Sequence, residues 1–381
     1  MSVTESAVRA ALSQVVDPEI RRPITELDMV GDIEISPESF VKVTILLTVA
    51  GCPMHAAIQR DVTAALEALD GVAGVNVVMG AMSDEQRAAL TQKLHGGRTE
   101  PVIPFAQDDS LTQVILVASG KGGVGKSSVT VNLALALAGK GKKVGVLDAD
   151  IYGHSVQQML GLYDTDPTLV DDMILPVPFM GLSVISMGMF KESRDQVIAW
   201  RGPMLDRALA QFMTDVYWGD LDYLIVDLPP GTGDVALSMG QKLPNAEVIV
   251  VTTPQSAASE VAERAGTMAS MFEQKLIGVI ENMSYLSVTC PHCGEAHRTD
   301  VFGSGGGIEV AGALSAKVGY DVPLLAEVPM DPQVSVSGDR GIPYVALNPD
   351  SEASKVIYGI ADHLNERRPS IKGKKLGVTV L

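Results

Sequence analysis

The sequence predicts an α/β protein: a doubly wound, mostly parallel sheet, preceded by a small α/β domain. Three observations carry this. From residue 113 onward, short apolar runs alternate with stretches of helical length, which is the signature of repeated βα units. Most of those runs are continuously apolar, as strands buried on both faces must be. Before residue 95 the pattern is shorter and includes alternating strands, which fits a separate unit of about 90 residues.

Taken in order, residues 4–15 have helical spacing (Val8, Leu12, Val15) and end at the breaker Asp17-Pro18-Glu19. Strands are expected at 30–36 and 41–49, with Ser36-Pro37-Glu38 as the turn, then a helix over 54–69, a strand over 72–78 and a helix over 83–94. Residues 95–110 mix Gly, Pro and acidic residues without periodicity and read as a linker. The larger domain, 111–367, has strands at 113–119, 143–148, 182–187, 222–227, 246–252, 276–281 and 323–328. Its expected helices include 126–139, 202–216, 256–273 and 352–366, and a basic, then apolar, tail follows over 368–381.

Composition narrows the function classes. The 381 residues are 46% hydrophobic but 4% aromatic, so the core is aliphatic. A formal charge of −17 repels nucleic acid and anionic membranes as a whole. Three Cys form no disulfide framework, and the first residues, MSVTESAVRAAL, lack an apolar signal segment. No apolar run reaches the roughly 20 residues of a membrane span. The expectation is a soluble, cytoplasmic protein that binds neither nucleic acid nor membrane.

The strand QVILVAS, the loop Gly120-Lys121-Gly122-Gly123-Val124-Gly125-Lys126-Ser127 and the helical run that follows stand in the order of a phosphate-binding loop. Glycines let backbone amides turn inward onto phosphate oxygens, and the helix N-terminus adds partial positive charge. Lys126 is placed for the terminal phosphates of ATP and the Ser127 hydroxyl for Mg²⁺, with Ser128 continuing the nucleotide contacts. A second apolar strand ends in Asp227, a carboxylate suited to holding Mg²⁺, and continues as the Gly/Pro loop 228–234. A third, Val146-Leu147-Asp148-Ala149-Asp150, delivers Asp148 to support the metal and Asp150 to orient the attacking water. The sequence therefore predicts an ATP hydrolase.

Cys290-Pro291-His292-Cys293-Gly294 offers two thiolates at metal-ligand spacing, but two ligands do not complete a tetrahedral site. Three completions are open: zinc with His297 and either His292 or an outside ligand, a redox dithiol, or a [4Fe–4S] cluster with two thiolates from each of two chains.

Lys121 is surplus to the loop's own phosphates. With it, the loop resembles the deviant Walker A class, K-G-G-x-G-K-[ST], of MinD, ParA and the nitrogenase iron protein. That resemblance implies an ATP-sandwich homodimer in which Lys121 reaches the partner's nucleotide. The combination of Asp148-Ala149-Asp150-Ile151-Tyr152-Gly153, Trp200-Arg201-Gly202-Pro203-Met204, VDLPPGTGD, CPHCG and Phe302-Gly303-Ser304-Gly305-Gly306-Gly307 resembles the Mrp/ApbC family. It implies an ATP-dependent carrier or scaffold that holds a [4Fe–4S] cluster on Cys290 and Cys293 of two subunits and passes it to apoproteins, in company with cluster-assembly factors. It also implies an adenine pocket near Asn282, Pro329 and Asp331. His154 departs from the family, which usually has Pro there. The alternative function, a positioning ATPase like MinD or ParA, shares the loop; the Pro- and Gly-broken basic tail argues against its membrane helix.

Residues 4–90 resemble the small domain fused ahead of many bacterial Mrp proteins, through Val16-Asp17-Pro18-Glu19 and Thr48-Val49-Ala50-Gly51-Cys52-Pro53-Met54. Cys52 opens an expected helix, where a thiol pKa tends to be depressed, so it is a candidate accessory residue in cluster transfer or partner contact. A half-buried structural thiol is the other reading.

Overall fold

The computed structural model describes residues 3–49, 51–94, 102–107, 109–150, 153, 155–190, 202–231, 233–255, 264, 267, 271–272 and 274–367. The helix expected over 256–273 lies almost wholly outside them, as do Tyr152, His154, Trp200, Arg201 and the tail 368–381. Two compact units result. One takes the described residues of Met1–Pro101 with Pro167–Pro178 and Asp215–Gly219; the other takes those of Val102–Asp166, Phe179–Thr214 and Asp220–Leu381.

In the first unit, strands Val30–Ile35, Phe40–Leu47 and Gly74–Ala81 form a sheet in that order, the first pair antiparallel and the second parallel. Along the middle strand Val41, Val43, Ile45 and Leu47 point inward at the period of two that alternation dictates. They meet Val8 and Leu12 of helix Glu5–Leu12 and Ile58, Val62 and Leu66 of helix His55–Glu67. Thr4 starts the first helix, its hydroxyl accepting from the Ala7 amide at 3.2 Å. The same core contains Val170, Met173 and Leu175 from an antiparallel hairpin, Thr168–Val170 with Met173–Leu175, all three fully buried. That hairpin is absent from the sequence reading, because three-residue strands are too short to show a period.

The second unit is built on a mostly parallel sheet. Its order includes Ala296–Thr299, Lys275–Thr289, Glu247–Thr252, Gln113–Ala118, Tyr223–Asp227, Val144–Asp148 and Leu182–Ser186, with Leu324–Met330 also pairing with Lys275–Thr289. The expected strands are all present. Register sets the chemistry: Asp227 pairs with Asp148, and Asp148 with Ser186, so three polar side chains meet at the carboxyl ends of adjacent strands. Helix Lys126–Gly139 follows Gln113–Ala118 and is buried along most of its length, between the sheet and helix Glu352–Glu366. The strand expected over 276–281 is longer than its apolar core. It runs on to Thr289 and turns back through Ala296–Thr299 as an antiparallel hairpin.

Candidate nucleotide and metal sites

Gly123 and Gly125 both adopt φ +77°, the left-handed region that favours glycine, and this turns the loop over the start of helix Lys126–Gly139. A Cβ on Gly125 would sit 2.2 Å from Asn282 Nδ2. That amide instead donates to the Val124 carbonyl at 2.9 Å, so Asn282 braces the loop as well as facing the space beside it.

Beneath the loop lies a buried charge cluster. Lys126 Nζ stands 2.7 Å from Asp227 Oδ1. The Ser127 hydroxyl donates to Asp227 Oδ2 at 2.5 Å, and Thr130 Oγ1 donates to Asp227 Oδ1 at 2.8 Å. A carboxylate with no exposed surface needs such partners, because burying it unpaired costs several kcal/mol or more. Thr130 was missed in the sequence; its signal is position, one helical turn beyond Ser127. Asp148 is also fully buried, accepting from Ser186 Oγ at 2.9 Å and from the Asp150 amide at 3.0 Å. Burial, and then the neighbouring Asp227, push its carboxyl well above the ordinary range. Asp150 accepts the Gly153 amide at 3.0 Å, and a Cβ on Gly153 would press to 2.7 Å from Asp150 Oδ2. Lys121 lies apart from this cluster, its ammonium donating to Gln255 Oε1 at 3.1 Å.

A cavity of about 600 Å³ opens beside the loop, lined by Gly125, Ser128, Asn282, Pro329 and Asp331 among others. Its volume falls in the range of small-molecule sites. Asp331 is held in place twice over. It caps helix Pro332–Asp339 through the Gln333 amide at 2.8 Å and accepts the Tyr344 hydroxyl, and burial with this bond pushes Tyr344 up to about 12.

Cys290 and Cys293 sit in the turn of the Lys275–Thr289 hairpin. The Cys290 amide donates to the Glu295 carbonyl at 2.8 Å and the Gly294 amide to the Cys290 carbonyl at 2.9 Å, with Gly294 at φ +74°. Backbone amides of Cys293 and His292 favour the thiolate of Cys290 and lower its pKa. Cys293 Sγ lies 3.8 Å from His297 Nε2, and the donor atoms of Cys290, Cys293 and His297 all fall within 4.8 Å of one another. His292 brings its amide to the turn, while His297 brings its ring.

Cys52 departs from expectation. Helix His55–Glu67 begins three residues later, so the thiol receives little of its dipole. It is buried and donates to Glu19 Oε2 at 3.5 Å, and burial followed by the Glu19 charge raises its pKa to about 12. Glu19, itself raised mainly by burial, also accepts Thr168 Oγ1 at 2.6 Å. The depressed pKa expected from position is therefore replaced by a raised one; the thiol is a buried hydrogen-bond donor.

A family model described as NUBPL iron-transfer P-loop NTPase matches residues 110–365, and one described as iron-sulfur cluster assembly protein matches residues 5–77. A Mycobacterium bovis protein named iron-sulfur cluster carrier protein is 54% identical over 98% of this chain and 96% of its own. A Deinococcus radiodurans protein of the same name is 42% identical over 93% of both chains. Among solved structures, the Archaeoglobus fulgidus nucleotide-binding protein in complex with ADP is 36% identical, with a TM-score of 0.50 over 62% of this chain and 92% of that one. MinD from Pyrococcus horikoshii, 24% identical with a TM-score of 0.50 over 67% of this chain and 96% of its own, shares the fold. The glycine-turned loop, the carboxylates set side by side on neighbouring strands and the paired thiols all lie within residues 110–365, and the chain is a member of the NUBPL iron-transfer P-loop NTPase family.

Proposed function

We propose that the chain is an ATP-dependent iron–sulfur carrier whose two copies share one [4Fe–4S] cluster on Cys290 and Cys293 and deliver it to apoproteins. The observation that carries this reading is a single strand. Lys275–Thr289 presents Asn282 to the loop carbonyl of Val124 and, at its far end, leads directly into the thiol pair. A change in the loop therefore has a continuous backbone path to the cysteines, one that passes through the break in register between Asn282 and Leu286. The names of the Mycobacterium and Deinococcus relatives and the ADP in the Archaeoglobus structure support the two halves of the reading.

In ATP turnover the backbone of Gly120–Ser128 cradles the phosphates, and Lys126 neutralises the terminal ones. Asp150 orients the attacking water, and Lys121 reaches the nucleotide of the second copy. Asn282, Pro329 and Asp331 border the base. Ser127 and Asp227 put two hard oxygens 2.5 Å apart, with Asp148 behind them, a donor set that suits Mg²⁺. When bound, that ion neutralises charge building on the phosphates.

Anaerobic reconstitution with iron and sulfide tests the proposal. About four irons per two chains and broad visible absorption are expected. Both should vanish on Cys290→Ala with Cys293→Ala. Transfer to an apo-ferredoxin should respond to Mg-ATP in the wild type and not in Lys126→Ala. A colourless wild-type protein, or a chromophore indifferent to the two cysteines, overturns the reading.

A further inference from the structure

The cluster reading uses two thiolates per chain and leaves His297 without a role. We infer that His297 completes a second, single-chain use of the same hairpin: a Cys₂His site that takes one borderline-soft divalent cation per chain. It shares the thiols with the proposed cluster site but needs no second copy.

The geometry is that of a site assembled in advance. On a tetrahedral ion, bonds of about 2.3 Å to sulfur and 2.0–2.1 Å to imidazole nitrogen leave the two donors about 3.6 Å apart. Cys293 Sγ and His297 Nε2 are 3.8 Å apart, and Cys290 Sγ lies within 4.8 Å of both. Small side-chain rotations would bring all three onto one ion. Backbone pairing holds them: Val288 faces His297 and Thr289 faces Ala296, and the turn is closed by the Cys290–Glu295 and Gly294–Cys290 bonds.

The strand's other face is anchored independently. Side chains alternate along a strand, so Arg298 points away from His297. Its guanidinium lies 4.0 Å over the Tyr285 ring and pairs with Glu327 and Asp300, each at 3.2 Å. Tyr285 and Ser287 in turn donate to Glu352, each at 2.8 Å. This clamp fixes the strand with His297 turned to the thiol side. The choice of ion follows from the donors: thiolate with imidazole suits Zn²⁺, Co²⁺ or Fe²⁺ and disfavours Mg²⁺ and Ca²⁺. Each thiol releases its proton to solvent on binding. The fourth position belongs to solvent, which leaves an ion that incoming thiolates can reach.

Titration of the full chain with Co²⁺ alone, under anaerobic conditions, tests this. The wild type should bind one ion per chain without a change in mass in solution beyond the ion, with intense d–d bands of tetrahedral coordination and thiolate-to-metal charge transfer. His297→Ala should weaken binding by more than about a hundredfold, since even outer-shell losses cost 10–100-fold. His297→Cys should restore affinity and strengthen the charge-transfer band as a third thiolate replaces imidazole. His297 is exposed, so neither variant threatens the fold. Unchanged Co²⁺ affinity and spectrum in His297→Ala, or one ion per two chains in the wild type, overturns the inference. Iron and sulfide reconstitution keeps the two readings apart. A cluster forming equally in wild type and His297→Ala, with Co²⁺ binding that ignores His297, defeats the single-chain site and leaves the carrier intact. Co²⁺ binding that requires His297, in a protein that never reconstitutes, does the reverse.

Discussion

Asp148 and Asp227 face one another across adjacent strands with no exposed surface, yet Lys126 pairs directly with Asp227 at 2.7 Å. Burial, and then the neighbouring Asp227, therefore make the Asp148 carboxyl hold its proton more tightly in the fold than in the open chain, whose ordinary value is 3.8. Such a group adds most stability at low pH, and that contribution is lost as pH rises from the unfolded value through the raised folded one. Asp17 and Glu19, also raised by burial, act in the same direction. Asp148→Asn should therefore flatten, without abolishing, the decline of the denaturant midpoint with pH above about 4; an unchanged slope would mean that Asp148 is charged in the fold. Cys52 makes a second residue-scale prediction. With its thiol buried and raised to about 12, it should resist an uncharged thiol reagent that modifies Cys290 and Cys293. Two thiols per native chain and three after denaturation are expected, and rapid native labelling of Cys52 would refute the assignment. Much of this site was legible, since Lys126, Ser127, Asp148 and Asp227 each sit at a strand end or helix start that local pattern reveals. Ser186 was not, because its role depends on which strand lies next to Val144–Asp148, and pairing order leaves no local trace in sequence.

At the scale of elements, helix Gly306–Val318 shows what a glycine-rich run can hide. Phe302–Gly307 enters the sequence reading only as a motif of the resemblance, and no helix is expected after it, yet Gly306 and Gly307 form the first turn of one. The buried carboxylate of Glu281 accepts the Gly307 amide at 2.5 Å and the Ser284 hydroxyl at 2.5 Å, an anion set at a helix N-terminus from a neighbouring strand. The glycines are demanded by closeness: a Cβ would come within 2.5 Å of the Pro254 carbonyl at Gly306 and 2.7 Å of Glu281 Cβ at Gly307. Further along the same helix, Gly312 meets nothing within 4 Å. The two kinds of glycine should respond oppositely. Gly307→Ala is expected to cost about 1–3 kcal/mol through overpacking, whereas Gly312→Ala should gain about 0.5–1 kcal/mol of helix stability. Thermal unfolding of both variants checks this, and a shared sign would show that packing at Glu281 does not govern the first turn. The Cys-bearing hairpin escaped the sequence reading for a different reason. Its outer strand, Ala296–Thr299, is short and exposed throughout, so no apolar pattern marks it.

For the whole molecule, the front unit's core is the place where distant sequence matters most. Local periodicity finds its helices and strands before residue 95, but Val170, Met173 and Leu175 enter the same core from more than 70 residues later. Among the described residues, Thr168 is one of two side chains that hydrogen-bond to Glu19. Burying each of those three side chains contributes about 1.5–3 kcal/mol, or on the order of 5–9 kcal/mol together. A domain's entire stability is about 5–15 kcal/mol. A fragment ending at residue 94 loses all of that contribution and leaves Glu19 short of a hydrogen bond, a further penalty of about 1–3 kcal/mol. It should therefore lack a cooperative unfolding transition and give poorly dispersed amide resonances. Within the intact chain, Met173→Ala should lower the stability of the front unit by about 2–5 kcal/mol, and amide hydrogen exchange should report the loss in strands Phe40–Leu47 and Gly74–Ala81. A fragment of residues 3–94 that unfolds cooperatively, at a denaturant midpoint equal to that of the same strands in the full chain, would show that the hairpin covers the core without stabilising it.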